Sequence, residues 1–435
     1  MTITLNDDQT KALAEILAAQ ERGSRHLLTG YAGSGKTTLM QALARKVLAR
    51  GQSIVLTAPT HKAVSVLSAK LAQAGIMGVG CVTIHSLLQL RAVAHGDRLV
   101  FERARNADPV MADVVVVDEC SMVSEDLLKH IKRHLPMSFV VFVGDPAQLP
   151  PVGEVSSATF ETKSRSHLAT IVRQGAGNPI LAAAHTIRES QGGPMDWSWM
   201  QSAKAPPLGV YLPADADAWM KKAFTSPEFD ADPDAFRYLA WTNARVAEVN
   251  AKVRRWRYGD TLPTPFMPDE RALIRAPILI DGVTAFTTNE EAQVIAIERD
   301  RFTYTIEACE GGAEWVAEVP SWRVCLRKTD GTERDVHMPA DDRAFNRVVD
   351  RIKDEASEAR YRWKQMHDFK ASMARLQSIY ALTTHNSQGS TFANAFVDVP
   401  DIRRRVDTNL LEAQQMFYVA ATRPSKALVL VGAGA

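Results

Sequence analysis

Between residues 5 and 159, short unbroken apolar runs alternate with stretches whose apolar positions recur every three or four residues. Residues 26–29, 53–58, 114–117 and 139–143 are rich in Val, Ile and Leu and predict strands, while 38–49 and 61–73 carry helical spacing. Strands that are apolar throughout, rather than at alternate positions, predict a parallel sheet covered by helices on both faces. The pattern breaks between Thr159 and Arg173 and then restarts. A strand at 236–241 leads into a helix at 243–256. Strands at 379–383 and 395–399, a helix at 410–422 and a strand at 427–431 close the chain. The predicted fold class is α/β, with two parallel-sheet units, the second interrupted.

The interruption has a different texture. Residues 293–298, 303–307, 315–319 and 324–327 alternate polar and apolar between turn signals, which predicts a small antiparallel barrel or sheet. From Asp341 to Arg375 there is no Gly or Pro, and Phe345, Val348, Ile352, Ala359, Trp363 and Met366 recur at helical spacing. One long helix or two packed helices follow from that. Residues 91–109 begin with a short basic hairpin pattern. The expected organisation is a first unit of 1–90 and 110–165, a hairpin insertion of 91–109, a second unit of 166–262 and 377–435, and an accessory insertion of 263–376.

Composition acts mainly by exclusion. The 435 residues are 46% apolar and 23% charged, ordinary for a globular protein, which sets aside disordered, collagen-like and coiled-coil classes. With 51 Lys and Arg against 50 Asp and Glu the net charge is +1, so a polyanion partner is neither indicated nor excluded. No apolar run approaches the roughly 20 residues of a membrane span. The start, MTITLNDDQTK, lacks the basic and apolar stretches of an export signal. Cys81, Cys120, Cys309 and Cys325 are far apart and form no C-x-x-C pair. A soluble, cytoplasmic protein without disulfides is expected.

Chemistry enters at residues 30–37. Gly30-Tyr31-Ala32-Gly33-Ser34-Gly35-Lys36-Thr37 matches G-x-x-x-x-G-K-S/T, between a predicted strand and a predicted helix. Glycines let backbone N–H groups converge on phosphates, and the helix adds its positive end. The cradle comprises Gly30, Ala32, Gly33, Ser34, Gly35, Lys36, Thr37 and Thr38, with Lys36 on the β/γ-phosphates of ATP and the Thr37 hydroxyl on Mg2+. The strand at 114–117 ends in Asp118-Glu119. Asp118 suits the magnesium side and Glu119 a base that activates water, a pairing that favours hydrolysis over transfer to a bound acceptor. Gly144-Asp145-Pro146-Ala147-Gln148-Leu149-Pro150-Pro151 follows another apolar strand. Gln148 there can sense the γ-phosphate.

The ordered set resembles the superfamily 1 helicases, most closely the Dda-type phage helicases of the RecD-like, 5′-to-3′ branch, over nearly the whole chain. Leu5-Asn6-Asp7-Asp8-Gln9 is similar to the Q motif; residues 30–37 to motif I; 58–63 to motif Ia; 83–87 to Ib; Asp118-Glu119 to motif II; and 144–151 to motif III. Residues 168–174, Trp241-Thr242-Asn243 with Asn250, 381–389 and 417–423 are similar to motif IV, the T-N…N element, motif V and motif VI. Asn386 stands where relatives commonly have Lys. The resemblance implies two RecA-like motor domains around ATP and Mg2+. In it, Gln9 reads adenine, Gly389 borders the nucleotide, and Arg173 and Arg423 reach the γ-phosphate from the second domain.

It also implies single-stranded DNA and duplex junctions as partners, replication or recombination proteins beyond them, action as a monomer, and a bacterial or phage-infected cell. Pro59, Thr60, His61, Lys62, Thr83 and His85 are the expected DNA contacts of the first domain, and Asn243, Thr384 and His385 those of the second. Relatives place a strand-separating pin where the hairpin lies, which makes Phe101 its aromatic; a Phe packed under its own hairpin is the alternative. Residues 252–257 and 403–405 read as solvated basic faces. An RNA-directed helicase shares the ATP motifs and stays open. A GTPase switch lacks the expected N-K-x-D element here, and a kinase has no use for motifs III, V and VI.

Overall fold

The computed structural model describes residues 4–433 except Ser24, Gly96, Asp97, Arg105 and 171–176. Its described residues divide into two compact units: 4–89 with 104–253 and 380–433, and 90–103 with 254–379.

The larger unit holds two six-stranded sheets. In the first, the order is Gly80–Thr83, Ile54–Ala58, Val114–Val117, Phe139–Gly144, His26–Gly30 and Ser164–Leu168, and every neighbouring pair is parallel. Val114 to Val117 are fully buried, as a strand covered on both faces requires. The helix Lys36–Ala49 turns Leu39, Met40, Leu43, Ala44 and Val47 onto this core, a stripe spaced by three and four residues. The sheet runs on past the break expected at 165. Ser164–Leu168 pairs with the P-loop strand, and the buried His26 ring bonds the Ser164 and Ser166 hydroxyls at 2.9 Å each. Its Ser-Arg-Ser-His sequence carries no apolar run, so side-chain hydrogen bonding defines this strand where hydropathy does not.

The second sheet has the order Ala381–Thr383, Phe236–Ala240, Phe392–Asp398, Pro424–Val431, Leu208–Tyr211 and Ala203–Ala205. All its pairs are parallel except the last. The helices Pro179–Glu189 and Leu410–Thr422 pack together beside it.

The smaller unit contains a five-stranded antiparallel sheet ordered Glu333–Pro339, Trp315–Arg327, Glu291–Ile306, Arg271–Ile274 and Leu376–Ser378. The four short strands expected from the sequence are two long ones paired along their whole length. The charges of Arg299, Asp300 and Arg301 resemble a turn in sequence, yet they sit mid-strand. Arg301 meets Glu318 at 2.9 Å and Asp300 meets His337 at 2.9 Å across the sheet. The stretch from Asp341 onward is two helices, Asp342–Glu355 and Arg362–Ser372, whose Phe345 and Phe369 rings stack at 5.3 Å. The hairpin strands Leu90–His95 and Arg98–Arg103 belong to this unit, and helix Arg362–Ser372 packs against the first of them. Among the described residues no helix is long and apolar enough to cross a membrane.

Candidate nucleotide site and nucleic-acid face

The strand order sets up the site. The motif III strand lies between the P-loop strand and the motif II strand, all parallel, so the three loops leave one edge of the sheet together. That carboxyl edge is where open α/β sheets bind ligands. Gly35, at φ +82°, caps the helix Lys36–Ala49 in a left-handed conformation that glycine adopts without strain. Lys36 Nζ folds back onto the Gly30 and Tyr31 carbonyls at 2.7 and 2.9 Å. Three polar atoms around this edge are buried without a partner among the described residues: Ser34 Oγ, Ser121 Oγ and Gln148 Oε1. Orphaned buried polar atoms call for an explanation, and three gathered at one loop edge suit a further polar group there.

Asp118 and Glu119 lie at the end of the fully buried motif II strand. Burial, then the adjacent Glu119 charge, pushes the Asp118 carboxyl up to about 7, while Lys36 and Lys70 pull the other way. More positive charge at this point favours its ionised form. Glu119 holds φ +51° and ψ +43°, a left-handed backbone that a non-glycine residue adopts at a cost of about 1–2 kcal/mol. Such strain gathers at functional sites. Lys70, from the last turn of helix His61–Gln73, brings its Nζ to 3.5 Å from the Thr37 hydroxyl. No motif in the sequence singles it out.

Other expected nucleotide residues sit differently. Gln9 is buried, and its amide nitrogen donates to the Ser34 and Gly35 carbonyls at 3.3 and 3.4 Å while its oxygen accepts from Asn6 N–H. It ties the first helix to the P-loop, and donating to adenine requires its amide nitrogen to release a carbonyl. Arg423 is buried against its own domain: Nε donates to the Val419 carbonyl and Nη1 to the Ser390 carbonyl, both at 3.0 Å. Arg173 lies outside the described residues. Gly389 packs so closely on motif Ia that an added Cβ would stand 3.0 Å from Ala63 Cβ.

The expected DNA contacts divide. Asn243 is exposed at the start of its helix, Pro59 and His61 are half-buried, and Phe101 is 51% exposed. Thr60 and Thr83 cap helices, accepting from Ala63 and Ser86 N–H. Thr384, named as a DNA contact, is fully buried, and its hydroxyl donates to the Ala240 carbonyl at 3.2 Å. Asn250 is likewise internal, holding Ala381 through both backbone groups. Lys62 is bound to Asp234 at 2.8 Å, which offsets part of the charge it would offer a phosphate. His85 and His385 are held neutral first of all by burial, with pKa values below the usual histidine range.

Sequence reasoning missed Arg188 and Tyr418. Arg188 donates to Asp145 at 2.5 Å and lies 4.1 Å from the centre of the Tyr31 ring in the P-loop. Tyr418, within motif VI, donates to Asp145 at 2.6 Å.

The family described as an AAA domain matches residues 4–202, and the UvrD-like helicase C-terminal domain matches residues 378–431. The chain is 24% identical over 446 residues to the ATP-dependent DNA helicase dda of Enterobacteria phage T4, covering 96% of this chain and 97% of that protein. The chain is similar to superfamily 1 helicases over almost its whole length. It is 33% identical to the ATP-dependent RecD2 DNA helicase of Deinococcus radiodurans over 164 residues, 37% of this chain and 21% of that protein. Its fold resembles Bacteroides Pif1 bound to ssDNA, with a TM-score of 0.52, 17% identity, and 99% of this chain and 92% of that one covered. A second Pif1 structure, described as the basis for DNA unwinding at forked dsDNA by two coordinating Pif1 helicases, gives the same TM-score of 0.52.

Proposed function

We propose that this chain is an ATP-dependent DNA helicase that tracks single-stranded DNA from 5′ to 3′ and opens the duplex ahead of it, working as a monomer in the cytoplasm of a bacterial or phage-infected cell. The observation that carries this reading is the convergence of the P-loop, Asp118-Glu119 and Gln148 on one sheet edge, among three orphaned polar atoms.

The residues fit a magnesium–ATP complex. Thr37 and Asp118 would hold the ion, which supplies charge neutralisation on the phosphates when bound. Lys36 then exchanges its carbonyl partners for phosphate. Glu119 accepts a proton from the attacking water. Arg423 and Arg173 are the arginines proposed to bring positive charge from the second domain, Arg423 by leaving the carbonyls it now holds. Opening duplex costs on average about 1.4 kcal/mol per base-pair step, so each step needs the nucleotide cycle as its source of bias.

The test is ATP hydrolysis with and without single-stranded DNA, then unwinding of duplexes carrying a 5′ or a 3′ tail. DNA-stimulated hydrolysis with unwinding of the 5′-tailed substrate is expected. Stimulation by RNA alone would select the RNA-directed reading, and 3′-tail preference would reverse the polarity.

The hairpin is proposed as the strand separator. Val93 and Val100 are paired across its strands and both exposed, with Phe101 next to them. An aromatic stack on an unpaired base contributes about 1–3 kcal/mol, comparable to one base-pair step. Phe101→Ala is therefore expected to keep DNA-stimulated hydrolysis and single-strand translocation but to unwind poorly, measured on a fluorescent fork. Phe101→Leu separates stacking from packing. If it restores unwinding, the ring acts by its volume, and if Phe101→Ala unwinds like the parent the separator lies elsewhere.

A further inference from the structure

Asp145 holds three hydrogen bonds at the nucleotide edge. It begins the motif III loop, directly after the strand Phe139–Gly144, and its side chain is wholly buried. Oδ1 accepts from Arg188 Nη1 at 2.5 Å and from Ala147 N–H at 3.1 Å, and Oδ2 accepts from the Tyr418 hydroxyl at 2.6 Å. The Tyr418 hydroxyl is used to capacity. Besides donating to Asp145 it accepts from Ala32 N–H in the P-loop at 3.3 Å and from Arg188 Nη1 at 3.4 Å. The Arg188 guanidinium, 4.1 Å from the Tyr31 ring centre, closes the circuit through a cation–π contact.

The origins of these groups matter. Asp145, Tyr31 and Ala32 lie on loops at the edge of the first sheet. Arg188 ends the helix Pro179–Glu189, and Tyr418 lies in the helix Leu410–Thr422, both beside the second sheet. Two further bonds grip the same loop: Gln191 amide to the Ala147 carbonyl at 2.8 Å, and Gln388 amide to the Leu149 carbonyl at 3.1 Å. Gln148, whose Oε1 is orphaned, stands between the two carbonyls so held. Its own N–H donates to the Asp145 carbonyl at 3.1 Å.

We infer that Asp145, Arg188 and Tyr418 are positioning residues that make the placement of Gln148 and of the P-loop lip depend on where the second sheet's helices sit, and so link ATP turnover to DNA binding. The inference rests on the helicase reading. A carboxylate paired in a closed pocket holds its partners in one geometry, because a displaced partner leaves a buried charge unmatched. Burial, reinforced by Asp145, raises the Tyr418 pKa well above the ordinary tyrosine value, so the hydroxyl stays protonated and keeps donating. Movement of the two helices is therefore passed to motif III and to Ala32 together. None of the three residues has to touch nucleotide for this to operate.

Tyr418→Phe is the sharpest probe, since it removes one oxygen and keeps the ring in its core. Two quantities are read in the parent and the variant: kcat and KM for DNA-stimulated ATP hydrolysis, and single-stranded DNA affinity with and without adenylyl imidodiphosphate. The expected result is a kcat lower by roughly tenfold, the loss of a hydrogen bond to a charged group, with KM changed less than about threefold. The ratio of the two DNA affinities, typically about 5- to 150-fold for coupled sites, should fall towards one. Arg188→Lys, which keeps charge but not the planar stack on Tyr31, should lie between parent and Tyr418→Phe. A Tyr418→Phe protein with parental kcat and parental affinity ratio overturns the inference, whatever its melting temperature. A parent whose hydrolysis ignores DNA overturns the helicase reading and this inference with it; a responsive parent matched by its variant overturns only this link.

Discussion

Glu119→Gln is expected to abolish DNA-stimulated ATP hydrolysis while leaving nucleotide binding near that of the parent chain. The amide matches the carboxylate in size, so the left-handed backbone at φ +51° and the strand that leads to it are undisturbed. What is lost is the ability to take a proton from water, an effect of about 10²- to 10⁴-fold for a positioned base. Lys36→Ala should differ in kind. Lys36 is already poised over the loop, on the Gly30 and Tyr31 carbonyls, and losing it removes the charge that phosphate would meet. Hydrolysis and nucleotide affinity should then fall together. Steady-state hydrolysis and titration with a fluorescent ATP analogue tell the two apart. An equal loss of affinity in both variants would contradict the separate roles.

Arg423→Ala is expected to lower hydrolysis by about 10³-fold or more, the scale of an arginine supplied to a phosphoryl-transfer site. Its guanidinium now spans the Val419, Ser387 and Ser390 carbonyls, fastening the end of helix Leu410–Thr422 to motif V. The substitution therefore leaves buried carbonyls unsatisfied as well, and a lower melting temperature accompanies the loss of rate. Rate per folded molecule decides between the two effects. If hydrolysis by the folded fraction matches the parent, Arg423 is a fastener of motif V and not a finger.

The parts of the fold that sequence foretold are those where one local pattern suffices. Val114 to Val117, four β-branched residues in a short run, favour a strand buried on both faces, and Gly30 to Thr37 follows a strand and opens a helix. Ser164–Leu168 escaped because its pairing depends on His26, far away in sequence, rather than on its own hydropathy. The long antiparallel pair reads in sequence as four short strands because mid-strand charges look like a turn until their cross-strand partners are known. The site shows the same divide. Lys36, Thr37, Asp118, Glu119 and Gln148 belong to short motifs, each following a strand that the sequence shows, so their gathering at one sheet edge is legible. Arg188 looks like any cation complementing a helix C-terminus, and only the fold reveals Asp145 beside it. The ion pair of Lys62 is hidden in the sequence because its partner, Asp234, lies 172 residues further along the chain.

The left-handed turn at Glu119 sets the chain's chemistry against its heat tolerance. A glycine there would relax the backbone and remove the charge crowding Asp118, a gain of about 1 kcal/mol in stability at the expense of the proposed base. A population screened for survival on heating, without a demand for ATP turnover, has nothing to retain this side chain.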